Sequence, residues 1–232
     1  MATATQESGR SLVSKAMDAV RSHIRDSNLG VGDTLPGEGV FAQELGVSRA
    51  VMREAFGALA ALKLIDVANG RRAKVGAIDG SVIAASLDHA LSTAQIEVAD
   101  VWDVRRTIEM RTAALAARNA TPAQAARIVE LAEAMGDDQP HEQTTEEDIE
   151  FHIAIAKASG NALFEQIVTS FVPLMRVAVP QAWMTRQTPE EKADILGRHR
   201  RLAAAIANHD PEGAEIAMAA HFDEAIGALL RR

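Results

Sequence analysis

From residue 79 to the C-terminus the chain repeats one period. Apolar residues recur every three or four positions, as a helix packed along one side requires, and no stretch alternates as a half-buried strand would. The starts are marked. Thr121-Pro122 with Gln124, Thr188-Pro189 with Glu191, and Asp210-Pro211 each place a capping side chain before a proline at the first helical position. Thr144 with Glu147 has the form of a capping box that would open a further helix. Such a chain folds by stacking helices, and six or seven are expected here in an antiparallel bundle. Alanine dominates and aromatic residues are only 3%, which favours close-packed helices over layered sheets.

The first 77 residues are different. Leu12, Ala16, Ala19, Val20 and Ile24 give a helix, and "NLGVGDTLPGE" breaks it with Gly30, Gly32 and Pro36. A short helix, Glu38 to Leu45, stops at Gly46, and Ser48 is a good N-cap for the next, from Arg49 to about Leu62. "LIDVANGRRAKVG" then carries two short strands joined at Asn69-Gly70, a dipeptide suited to a tight hairpin. That order is a winged helix-turn-helix. The expected architecture is therefore mainly α: residues 1–77 form the winged unit with a small β-hairpin wing, and residues 78–232 form an all-α bundle, with the boundary near Gly76–Gly80.

A net charge of −8 is unpromising for a nucleic-acid binder, but the charge is unevenly placed. Residues 1–77 carry 10 Lys+Arg against 8 Asp+Glu, whereas residues 78–232 carry 14 against 24. No cysteine is present, which excludes disulfides and thiolate metal sites. No run approaches the roughly 20 apolar residues of a membrane span, and "MATATQESGR" has no apolar core of a signal peptide. The expectation is a cytoplasmic protein with no membrane contact.

Arg49 falls in the first turn of the second helix of the pair, and Arg53 one turn on along the same face. An arginine there can fork onto guanine or clamp a phosphate. Arg71, Arg72 and Lys74 beside Gly70 suit contact with the DNA backbone or minor groove. The alternative is a solvated basic face. Leu35, Pro36, Glu38, Leu45, Gly46, Val47, Ser48, Arg49, Arg53, Glu54, Ala55 and Gly70 together resemble the DNA-binding domain of the GntR family of bacterial transcription regulators over residues 10–77. The resemblance implies binding of double-stranded DNA through Ser48, Arg49, Arg53, Gly70, Arg71, Arg72 and Lys74. Many relatives carry arginine directly after the glutamate of Leu-Pro-x-Glu. Gly39 stands there in this chain, which removes one contact of the usual set.

In "EEDIEFHIAIAKASGN" Asp148 and His152 lie four residues apart, so one helix aims a carboxylate and an imidazole in the same direction. His199 shares a stripe with Ile195, Leu202 and Ile206, and His221 one with Ala217, Met218 and Ala225. Inward ionisable groups are costly without partners. A single inward histidine is more often a hydrogen-bonded core residue than a ligand, and Asp148 could merely favour the helix dipole. Arg105, on a stripe with Val101, Ile108 and Thr112, needs an anion: Glu109 one turn on, or the carboxylate of a ligand. Trp183 and Met184, in what reads as a Pro-flanked connector, either line a cavity or pack.

Residues 80–230 resemble the helical effector domain of the FadR subfamily, the FCD domain, through Arg105, Ile108 and Glu109, the Asp148-x-x-x-His152 pair, His199 and His221. That resemblance implies a divalent metal held by Asp148, His152, His199 and His221, with zinc or nickel suiting the donors. It also implies a small organic (sugar or hydroxy) acid as effector, meeting the metal and Arg105. A polar, metal-centred cavity would favour a short acid over an acyl chain. The function implied is a ligand-responsive DNA-binding transcription regulator, a repressor released by that acid, acting as a homodimer on a short palindromic operator. Two other classes compete: a metal-dependent hydrolase fused to a DNA-binding module, and a sensor of the metal itself. Neither an HExxH motif nor a general base beside the ligands supports the hydrolase, so the chain is not expected to be an enzyme.

Overall fold

A computed structural model describes residues 11–136, 141–184 and 188–230, with side chains described except at 141, 142, 181–184, 189 and 224–230. The chain divides between Val82 and Ile83 into two compact units.

In the N-terminal unit α1 (Leu12–Asp26), α2 (Glu38–Leu45) and α3 (Arg49–Ala61) precede β1 (Ile65–Asp66) and β2 (Lys74–Val75). Val20, Leu35, Phe41, Met52, Leu59 and Ile65 are buried between them. The turn between α2 and α3 is set by Gly46, which ends α2 at φ 64°. Ser48 then caps α3, its Oγ accepting from Val51 N at 3.2 Å.

The wing differs from the expected two-residue hairpin. β1 and β2 pair antiparallel (Ile65 with Val75, Asp66 with Lys74), with seven residues between them. Asn69 does not enter the left-handed region, which a hairpin turn at Asn-Gly requires of both residues. Instead Arg71 N donates to Ala68 O at 3.2 Å, with Gly70 at φ 73° in the third position, the pattern of a type II turn. The segment expected only to break α1 also joins the sheet. Gly32 N donates to Val75 O, Val75 N to Asp33 O and Leu35 N to Ala73 O, at 2.8–2.9 Å.

Gly76 follows β2 where the backbone of residues 63–65 comes close. A Cβ there would lie 2.4 Å from Lys63 O. Gly76→Ala is therefore expected to destabilise the winged unit by about 1–3 kcal/mol. Thermal melting of the variant checks this, and a midpoint equal to the wild type's would contradict it.

The C-terminal unit holds α4 (Ser81–Ser92, with its first two residues in the N-terminal unit), α5 (Val98–Asn119), α6 (Pro122–Ala134), α7 (His141–Ala158), α8 (Ala162–Ser170), α9 (Val172–Met184), α10 (Pro189–Ala207) and α11 (Pro211–Leu230). Eight helices among the described residues exceed the six or seven expected. The extra break falls at Phe171. Pro173, without an N–H, occupies the second position of α9, and α8 and α9 bend by 50°. Thr121 and Thr188 cap as expected, each closing a capping box, and Asp210 Oδ1 accepts from Gly213 N at 2.9 Å. Thr144 does not cap. α7 begins at His141, so Thr144 has three helical residues before it and is buried. Trp183 and Met184 belong to the end of α9 rather than to a connector, and their side chains lie outside the described residues.

α5 is the central helix, packed by α7, α8, α10 and α11. Ala113, Ala114, Ala116 and Ala117 are buried along it, and side chains this small let neighbouring helices approach closely. Phe151, Ile155, Met175, Leu202 and Phe222 fill the rest. Among the described residues no single helix is long and apolar enough to cross a membrane.

Candidate metal centre and DNA-reading surface

α7, α10 and α11 bring Asp148, His152, His199 and His221 to one buried point, with one ligand atom from each within 4.8 Å of all the others. His199 Nε2 is 3.0 Å from Asp148 Oδ1, His152 Nε2 is 3.2 Å from His221 Nε2, and His152 Nε2 is 3.9 Å from Asp148 Oδ1. A tetrahedral ion with bonds near 2.1 Å holds its ligands roughly 3.4 Å apart, and these three separations lie around that value.

The protons say the same. His199 Nδ1 lies 3.0 Å from Ile195 O, and a carbonyl only accepts, so this nitrogen carries the hydrogen. His152 Nδ1 lies 2.5 Å from Glu109 Oε2, and donates likewise. Burial by itself would raise the Glu109 carboxyl, but Arg105 and His152 on either side hold it below its usual range, so it is an ionised acceptor. With a hydrogen on Nδ1 of both rings, Nε2 is the atom that His152 and His199 each turn toward the cluster. Burial would also raise Asp148. Its contact with His199 and the nearby rings outweigh that and keep it ionised. Burial pushes the His221 imidazole well below its ordinary value, with His199 and His152 adding to the effect, so this ring is neutral. Among the described residues its buried Nδ1 has no hydrogen-bond partner. Three imidazole nitrogens and one carboxylate brought to one buried point are the donor set of a borderline divalent cation.

Arg105, 2% exposed, is joined to this centre through Glu109. Its Nε donates to Glu109 Oε1 at 2.7 Å, and its guanidinium carbon lies 4.8 Å from the Trp102 ring and 5.1 Å from the Phe222 ring. Among the described residues its terminal nitrogens have no hydrogen-bond partner. Arg105 lines a cavity of about 340 Å³ between α4, α5 and α9. The walls are mostly apolar, with Leu91, Val101, Trp102, Leu174, Met175 and Ala178, where a polar cavity was expected. In the sequence Glu109 stands only as a candidate anion for Arg105, one turn away. Its bond to His152, 43 residues away, has no signal in the sequence.

On the winged unit Arg49 and Arg53 are exposed one turn apart on α3. Arg53 Nε is 3.7 Å from Glu38 Oε2 and 78% exposed, too loose a pair to tie the side chain down. The Arg49 guanidinium borders the space left at Gly39, 3.6 Å from where a Cβ would sit. Arg71, Arg72 and Lys74 are exposed on the wing around Gly70, and Ser48 is exposed at the start of α3.

Comparison with known proteins matches residues 12–75 to the bacterial regulatory proteins of the gntR family and residues 100–224 to the FCD domain. The HTH-type transcriptional regulator LutR of Bacillus subtilis is 29% identical over 203 residues, covering 85% of this chain and 92% of that one. The galactonate operon transcriptional repressor of Escherichia coli is 28% identical over 191 residues, covering 79% and 82%. A solved structure, Streptococcus agalactiae GntR, superposes with a TM-score of 0.67 at 25% identity, covering 91% of this chain and 97% of that one. A winged helix that exposes two arginines on its third helix, joined to a helical unit with a buried acid-and-imidazole cluster, agrees with both matches: the chain belongs to the GntR family with an FCD effector domain, and is a ligand-responsive DNA-binding transcription regulator rather than an enzyme.

Proposed function

We propose that this protein is a cytoplasmic repressor whose hold on DNA is released by a small organic acid bound beside a metal. Residues 1–77 read the operator through Arg49, Arg53 and Ser48, with Gly70, Arg71, Arg72 and Lys74 of the wing on the backbone. Residues 78–232 hold the metal, zinc or nickel, on Asp148, His152, His199 and His221. Bound there, the ion would offer Lewis-acidic positions to a carboxylate and hydroxyl oxygen. Arg105 receives the acid's carboxylate. The observation that carries this reading is the buried guanidinium: among the described residues its terminal nitrogens lack partners beside a cavity, and Glu109 joins it to His152 of the four metal-competent side chains. That cavity favours an organic ligand over a sensor of the metal alone. A sugar acid or hydroxy acid suits the donors, and a relative named for the galactonate operon lends support.

A thermal-shift screen of short organic acids, with and without chelator, tests the effector. At least one acid should raise the melting temperature, and chelator or Arg105→Ala should abolish the shift. No acid shifting the wild type would refute the assignment. For DNA, Arg49→Ala or Arg53→Ala is expected to cost about 1–3 kcal/mol in operator affinity if the side chain reads a base, and to lower the salt dependence if it holds a phosphate. Fluorescence anisotropy on an operator selected from genomic fragments measures this. Unchanged affinity and salt slope in both variants would remove α3 from the interface.

A further inference from the structure

We propose that Glu109 is a positioning residue that couples the acid-binding arginine to the metal centre. The inference rests on the metal reading above. One carboxylate, 1% exposed, serves two partners: Oε1 accepts from Arg105 Nε at 2.7 Å and Oε2 accepts from His152 Nδ1 at 2.5 Å. The second bond fixes which nitrogen of His152 faces the cluster. With the hydrogen held on Nδ1, Nε2 is the lone pair, and a carboxylate behind an imidazole makes it a stronger ligand. Without Glu109 the His152 ring could place its hydrogen on Nε2, where it would block the ion.

The first bond ties that carboxylate to the residue that meets the acid. A ligand carboxylate on the free end of Arg105 offsets the guanidinium charge and leaves more of the Glu109 charge for His152. A cation on Nε2 draws the Nδ1 hydrogen toward Glu109 and loosens its grip on Arg105. Both effects favour joint occupancy, and whatever factor the acid adds to metal affinity the metal adds to acid affinity. Arg105, Glu109 and His152 are thus one chain from effector to ion, all within the helical unit.

The test uses full-length protein in three forms: wild type, Glu109→Gln, which keeps an acceptor oxygen without the charge, and Glu109→Leu, which keeps neither. Zinc affinity is measured by competition with a chromogenic chelator. Nitrogen-15 NMR of the metal-free protein reports the His152 tautomer, which a merely structural role for Glu109 would not set. The expected order of zinc affinity is wild type, then Gln, then Leu, with a loss of about tenfold to hundredfold at Leu. The Nδ1–H tautomer should be pure in the wild type and mixed in Leu. In wild type, acetate as the simplest carboxylate should raise zinc affinity, and Glu109→Leu should remove that gain. Equal zinc affinity in all three forms, or an unchanged tautomer in Leu, overturns this proposal alone. A wild type that takes up no zinc overturns the metal reading and this proposal with it.

Discussion

Zinc affinity should fall about hundredfold or more in His199→Ala, and the melting temperature of the variant should no longer respond to the metal. Altering groups behind a metal ligand already costs tenfold to hundredfold, and in the proposed site His199 would supply a ligand atom itself, oriented by its bond to Ile195 O. Metal that binds only the folded chain adds roughly 4 kcal/mol at a thousandfold excess over its dissociation constant, so chelation should lower the wild-type melting point clearly. The variant without metal is expected to melt below the metal-free wild type, because alanine leaves a cavity and takes from buried Asp148 the ring 3.0 Å away. Isothermal titration and calorimetric melts supply both readings. Wild-type affinity retained in His199→Ala would return the cluster to ordinary buried polar groups.

The second large effect concerns DNA. An operator cut to one half-site should lose about a hundredfold or more of its affinity, because a second contact made within one complex adds avidity of that order. One winged unit exposes few groups that would read DNA under the proposed function: Arg49 and Arg53 on α3, and Arg71, Arg72 and Lys74 on the wing. A useful operator affinity then requires two copies on a palindrome. Anisotropy on full and half operators, with sedimentation of the protein alone, gives the answer. A monomer in solution that binds both fragments equally well would reject the paired arrangement.

What the sequence disclosed depended on distance along the chain. The caps at Ser48, Thr121 and Thr188 were legible because each is a contact within four residues. The stripes carrying His199 and His221 were legible because burial follows helical period. Features made by segments far apart were not. Gly32 to Leu35 carries no alternation, and it joins the sheet only because β2 offers its free edge. Thr144 had the local form of a cap, but α7 starts upstream of it. Glu109 sits one turn from Arg105, which suggested the ion pair. Only packing of α5 on α7 adds His152 to it. The cavity owes much of its apolar wall to α9, a helix whose place beside Arg105 no local pattern announces.

The most direct test of the account is X-ray absorption at the metal edge of the zinc-loaded protein. Asp148, His152, His199 and His221 predict one ion per chain, with three imidazole nitrogens and carboxylate oxygen at about 2.0–2.2 Å, and one imidazole fewer in His221→Ala. A shell of oxygen alone, or the same imidazole count in His221→Ala, would contradict it.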